Sequence, residues 1–186
     1  MAHRNPTRDL TVEDLYAKPD DGYRYELQGG LLLAEPLPGF RHCRVMVAIA
    51  ALLREHVRKQ RLGVVVAGDA GFILARKPDT VRGPDVAFVS RARIDELDDG
   101  YRAFAGAPDL AVEIVTPSNA PEDVRAKVAD YLAAGARLVW VVDIHARRVT
   151  VYEALLSPRL LCEGDVLDAG DVVPGFSVRV GEIFEF

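Results

Sequence analysis

The chain has 186 residues, 49% of them hydrophobic and 27% charged, with a formal net charge of −5. That length predicts one domain, able to bury roughly 70% of its unfolded surface without covalent staples. The composition excludes a disordered chain, a collagen and a disulfide scaffold. The longest apolar run, Val45 to Leu53, lies between Arg44 and Arg54 and falls far short of the ~20 residues of a membrane span. No apolar signal core follows Met1, so a cytoplasmic protein with no membrane partner is expected. Cys43 and Cys162 lack metal-ligand spacing and are expected as buried, reduced thiols.

Residues 1–10 are polar and are expected as a flexible N-terminal segment, with one domain over 11–186. Thr11 is a plausible N-cap for a short helix, with Asp14 as its box-like third residue. Tyr23 to Leu27 and Leu31 to Glu35 read as strands of a hairpin around Gln28-Gly29-Gly30. A strong helix is predicted from about His42 to Gln60, because Val45, Ile49, Leu52, Leu53 and Val57 recur on one face; Gly63 is expected to stop it. Arg54, Arg58 and Arg61 form a neighbouring basic row. From Arg41 to Arg61 six cations face only Glu55, so an acidic body carries one basic element able to meet a phosphate backbone locally.

Three strands are predicted next: Val64 to Ala67, Gly71 to Ala75, and Asp85 to Val89. Leu110 to Val115 and Leu138 to Val142 are continuous apolar runs of the kind buried on both faces of a sheet. A helix from Pro121 to Ala134 lies between them, with Val124, Val128, Tyr131 and Leu132 as its core face and Gly135 closing it. That β–α–β unit requires a parallel pair. Arg148 to Tyr152 extends the sheet, and short strands flank Pro174-Gly175. The expected architecture is one mixed α/β sheet domain flanked by helices.

Carboxylates inside apolar strands are the anomaly that points to chemistry. Glu113 interrupts a run that otherwise reads as core, and Asp85 stands at the mouth of another strand. Buried acids require a cation, a metal or a raised pKa. Side by side on strands about 4.8 Å apart, the two can share one ion. Pro108-Asp109 is the rival to Pro84-Asp85, but Asp109 lies four residues from Glu113 on the same strand, roughly 13 Å away. Two hard carboxylates without a His or Cys cluster favour Mg²⁺, or Mn²⁺, over Zn²⁺. Glu113 has an alternative as the partner of a buried arginine, and Asp85 as a strand-start turn residue.

Arg82-Gly-Pro-Asp85-Val-Ala-Phe-Val, Pro108-Asp-Leu-Ala-Val-Glu113-Ile-Val-Thr-Pro-Ser118 and the series Asp123, Lys127, Tyr131, Gly135 together resemble the Uma family of putative restriction endonucleases, in the PD-(D/E)XK nuclease superfamily. Tyr25-Glu26-Leu27 with Gly29-Gly30, His42, Trp140, Asp143 and Pro174-Gly-Phe-Ser are similar too, and the resemblance spans roughly residues 11 to 184. It implies a restriction-endonuclease-like fold, DNA as substrate, a homodimer, and Asp85 and Glu113 as ligands of Mg²⁺. In the superfamily pattern a lysine stands two residues after the acid; here that position is Val115, and Lys127 is the candidate replacement. Glu26 and His42 match positions that complete the pocket, while Tyr131 and Trp140 are expected in the core.

The implied activity is therefore a metal-dependent endonuclease acting on DNA phosphodiester bonds. Its alternatives are a catalytically silent module of the same fold that binds nucleic acid or protein, and a metal hydrolase of small phosphate esters. Lys127 could instead pair with Asp123 on a solvated helix face, and the arginine row could be a solvated face. Any sequence preference is expected from loops such as Arg91 to Gly106.

Overall fold

In the computed structural model, residues 2–3, 8–19, 21–35, 37–68, 70–94 and 103–185 are described. Strand β1 (Ala2–His3) pairs antiparallel with Leu33 and Leu32; the rest of the segment up to residue 7 lies outside the described residues. Helix α1 (Val12–Tyr16) has the expected capping box, in which the Asp14 N–H donates to Thr11 Oγ1 at 3.3 Å and the Thr11 N–H to Asp14 Oδ2 at 2.8 Å. Strands β2 (Arg24–Gln28) and β3 (Leu31–Glu35) form the hairpin over Gly29 and Gly30. Both glycines have positive φ, the backbone that tight two-residue hairpin loops demand.

Helix α2 (Phe40–Gln60) begins two residues before the expected start and buries Val45, Ile49, Leu53 and Val57. Gly63 does not end it. Arg61 takes the left-handed cap (φ 54), and Gly63 opens strand β4 (Gly63–Ala67), where a Cβ would collide with the Val89 carbonyl oxygen. Strands β5 (Phe72–Ala75), β6 (Thr80–Arg82) and β7 (Val86–Ser90) follow, then helix α3 (Arg91–Ile94) and strand β8 (Phe104–Ala105). Of the expected Arg91–Gly106 loop, residues 95–102 lie outside the described residues. Strand β9 (Leu110–Val115), helix α4 (Pro121–Ala133) and strand β10 (Leu138–Asp143) form the β–α–β unit, and β9 and β10 pair in parallel. Strands β11 (Arg148–Tyr152), β12 (Arg159–Leu161), β13 (Val166–Asp168) and β14 (Ser177–Arg179) and a 3-10 turn (Val180–Ile183) complete the chain.

The expected mixed sheet has the order β12-β11-β10-β9-β7-β4, and a second six-stranded sheet, β1-β3-β2-β6-β5-β8, gathers the N-terminal strands. Strands β13 and β14 pair separately. The central strands are buried on both faces. Leu110, Val112, Ile114 and Trp140 pack against α2, whereas Ala111, Val139 and Val141 pack against Val128 and Tyr131 of α4. Alternation therefore assigns Glu113, with Ala111, to the α4 face. The cysteines depart from expectation: Cys43 is half-buried and Cys162 exposed, because Cys162 follows an edge strand rather than entering the core. Among the described residues no helix is long and apolar enough to cross a membrane.

Candidate active site

The register between β7 and β9 creates the site. Val86 pairs antiparallel with Val112, so Asp85, one residue before Val86, stands across from Glu113, one residue after Val112. Directly opposed residues have Cα atoms about 4.5–5.5 Å apart. Both residues are 6% exposed, and each side chain is held. The Ile114 N–H donates to Asp85 Oδ2 at 2.7 Å, and His42 Nε2 lies 3.2 Å from Asp85 Oδ1. The Tyr131 hydroxyl donates to Glu113 Oε1 at 2.7 Å, and Lys127 Nζ lies 3.5 Å from Glu113 Oε2.

The crossover helix supplies two of those partners because Lys127 and Tyr131 are four residues apart, hence on one face. That face lies on β9. His42 arrives from the first turn of α2, and Glu26 from the hairpin. Glu26 Oε1 accepts from Lys127 Nζ at 3.2 Å and from the Gly83 N–H at 2.9 Å, while Arg82 Nη1 donates to Glu26 Oε2 at 2.9 Å. Arg82, 2% exposed, also donates to Asp130 Oδ2 from Nη2 at 2.6 Å and from Nε at 2.9 Å. Glu35 lies 3.5 Å from Lys127 Nζ. A cavity of about 130 Å³ opens over the group, lined by His42, Asp85, Glu113 and Lys127 among others.

The electrostatics are set by burial and by carboxylates lying close to one another. Burial raises the Glu113 pKa to about 7, and the Asp85 and Glu26 carboxylates push it the same way against the pull of Lys127 and the Tyr131 hydroxyl. Burial works against the Lys127 ammonium, yet Glu113, Glu26 and Glu35 outweigh it and raise its pKa. Burial and the Glu113 charge hold the Tyr131 phenol protonated, well above its ordinary range. Arg82 is already engaged by Glu26 and Asp130. Among the described residues, Lys127 lies against Glu26, Glu35 and Glu113, and Asp85 contacts His42 and the Ile114 amide.

That donor set suits a hard divalent cation. Mg²⁺ binds through one or two carboxylates and keeps several waters or substrate oxygens. Among the described residues no group of three or more His, Cys, Asp or Glu side chains could hold a metal ion, so a cation here would have only Asp85 and Glu113 as protein ligands.

The five expected pocket residues, Asp85, Glu113, Lys127, Glu26 and His42, thus converge. Lys127 turns inward to the carboxylates rather than pairing with Asp123, and Glu113 meets a lysine rather than an arginine. Arg54, Arg58 and Arg61 are exposed but stand apart. They follow His42 by 12 to 19 residues, about 18–28 Å along the helix axis. Tyr131, expected in the core, is buried and also a partner of Glu113; its spacing from Lys127 was the available signal. The roles of Arg82, though it opens the matched motif, and of Glu35 had none, since their partners come from distant segments. Trp140 is core.

The profile of the Uma2 family, described as putative restriction endonuclease, matches residues 12–181. The chain belongs to this family. The family match and the site share one stretch of chain, since every pocket residue falls inside it. A crystal structure of a putative nuclease belonging to DUF820 from Anabaena variabilis is similar with a TM-score of 0.82 and 18% sequence identity, over 94% of this chain and 97% of that one. The two share a fold, mixed α/β and restriction-endonuclease-like as the Uma2 resemblance implied. No curated protein matches this chain.

Proposed function

We propose that the protein is a divalent-metal-dependent endonuclease that hydrolyses phosphodiester bonds in DNA. The observation that carries this reading is the opposition of Asp85 and Glu113 across β7 and β9, with Lys127 3.5 Å from Glu113. Asp85 and Glu113 are the residues that would hold Mg²⁺ or Mn²⁺. Such an ion polarises a phosphoryl oxygen and makes an attacking water more acidic.

The remaining roles follow from the contacts. Tyr131 fixes one oxygen of Glu113 and leaves the other toward the cavity; the Ile114 amide does the same for Asp85, whose second oxygen is oriented by His42. Lys127 brings N–H donors to charge developing on the phosphate. Glu26, braced by Arg82 and the Gly83 amide, keeps that ammonium at the strand mouth. Lys127 in this way takes the place of a lysine at position 115, reaching the same carboxylate from a helix. Arg54, Arg58 and Arg61 would meet phosphates remote from the one cleaved, making affinity fall with salt. The reading includes a homodimer, as the family resemblance implies, and a cytoplasmic setting, where free thiols persist.

The test is cleavage of plasmid and single-stranded DNA with Mg²⁺ or Mn²⁺ by the native chain, Glu113→Gln and Lys127→Ala. Metal-dependent cleavage lost in both variants is expected. Cleavage that survives both, or no cleavage by the native chain with either ion, overturns the reading.

A further inference from the structure

A second cavity, of about 310 Å³, adjoins the carboxylate pocket and has a different chemistry. Tyr16, Tyr23 and Tyr25 line it together with Lys18 and Arg24. The volume is at the lower end of small-ligand clefts, ~300–1,000 Å³. Strands β2 and β6, neighbours in the second sheet, pair in register at one position, Leu27 with Val81. Residues of both faces of β2 line one hollow: Tyr25 from one, Arg24 and Glu26 from the other. The hollow and the carboxylate pocket have Arg24, Glu35 and Gly83 in common.

Two of its aromatic rings face solvent. Tyr23 is 63% and Tyr16 43% exposed, unusual for large aromatic side chains that have core available. The Tyr23 and Tyr25 rings meet at a 45° tilt with centroids 6.2 Å apart, so neither covers the other face to face. The Tyr25 hydroxyl is anchored on Asp21 at 2.8 Å, and Lys18 Nζ sits 4.3 Å from the Tyr25 ring centroid, which holds a cation at the rim. Exposed aromatic rings interleaved with cations are the elements of a stacking platform for bases beside a backbone-binding groove. Within a duplex each base already stacks on both neighbours, so a protein ring gains a base face only from an unpaired strand.

We propose that this hollow is a base-stacking subsite for an unpaired nucleic-acid strand, with Tyr23 as the platform and Lys18 and Arg24 beside the backbone. The strand would run past Gly83 to Asp85 and Glu113, so the subsite rests on the nuclease reading and gives it a substrate class: a strand presented single to the site. Tyr23 lies three residues from Glu26, about 10 Å along the strand, close enough for a stacked base to fix the position of a neighbouring phosphate.

The test is binding of fluorescein-labelled twelve-residue oligodeoxyuridylate, oligouridylate and a 12-base-pair DNA duplex by the full chain, with Ca²⁺ in place of Mg²⁺. The native chain, Tyr23→Phe and Tyr23→Ala are compared by fluorescence anisotropy. Expected are tighter binding of a single strand than of the duplex, retention in Tyr23→Phe, and a loss of roughly 5- to 150-fold in Tyr23→Ala. The tighter of the two single strands identifies the sugar. Equal single-strand affinity in Tyr23→Ala and native chain, tighter binding of duplex, or no single-strand binding overturns the proposal. Tyr23 is exposed, so circular dichroism of the variants is expected to match the native chain. Cleavage assays separate the two readings: Tyr23-dependent binding, with no cleavage of the bound strand, plasmid or single-stranded DNA by Mg²⁺ or Mn²⁺, would sink the nuclease reading and leave the subsite standing.

Discussion

Three Pro-Asp pairs stand at strand entrances, before β6, β7 and β9, and the fold gives the last two opposite fates. Asp85 and Asp109 are each 6% exposed. Asp109 accepts from the Ser90 N–H at 2.8 Å, and its Oδ2 lies 3.4 Å from Arg93 Nη1. Its carboxylate closes the turn into β9. Asp85 precedes a strand antiparallel to β9, so it emerges at the opposite end of the sheet, where β9 carries Glu113 and α4 brings Lys127. A carboxylate that satisfies its own neighbourhood is structural; one set against a second carboxylate raises local charge and invites a cation. Strand direction, which no dipeptide encodes, makes the difference.

The comparison breaks most sharply on activity. Asp85→Asn and Glu113→Gln are each expected to lower metal-dependent cleavage by on the order of 10³-fold, since an ion in place supplies several kcal/mol of charge stabilisation. Asp109→Asn is expected to leave turnover unchanged in the same plasmid assay. Lys127→Ala is expected to lower kcat by about 10²-fold, as for the loss of one donor to transition-state charge, while Mn²⁺ binding measured by calorimetry persists. Tyr131→Phe keeps the ring in the core and removes the hydroxyl from Glu113, so a loss of about 10-fold in metal affinity or rate is expected from a titration with Mn²⁺.

Stability sharpens the same contrast. The Glu113 pKa is raised above its unfolded value of 4.5 to about 7, so its favourable term is present below 4.5 and lost as pH climbs to 7. In metal-free protein, Glu113→Gln is therefore expected to unfold at higher urea than the native chain at pH 8, by at most about 3 kcal/mol. The gap should shrink at pH 4.5 and close when Mg²⁺ is added to the native chain. Asp109→Asn keeps an acceptor for the Ser90 amide but loses the charge facing Arg93. It is expected to lower stability by about 1 kcal/mol in thermal unfolding, with or without metal.

What the sequence disclosed follows the range of the interactions concerned. The capping box of Thr11 and Asp14, the apolar face of α2 and the β–α–β unit depend on residues a few positions apart, and all are found. Glu113 was legible because a charge inside Leu110–Val115 contradicts its surroundings. Helix α2 ends at Gln60 as expected, but Arg61 rather than Gly63 supplies its cap; Gly63 answers a tertiary demand, for no Cβ beneath the Val89 carbonyl. Arg82 stood in plain view before Gly-Pro-Asp, yet its partners Glu26 and Asp130 lie 56 and 48 residues away. Tyr131 read as core because it is core; its hydroxyl finds Glu113 only once α4 lies on β9.

The most direct test of the account is a Mn²⁺ titration of the native chain, Asp85→Asn, Glu113→Gln and Asp109→Asn by isothermal calorimetry. The account predicts a Mn²⁺ site in the native chain, kept in Asp109→Asn and lost in the other two. Binding of equal strength in all four chains, or loss in Asp109→Asn with retention in Asp85→Asn, would contradict it.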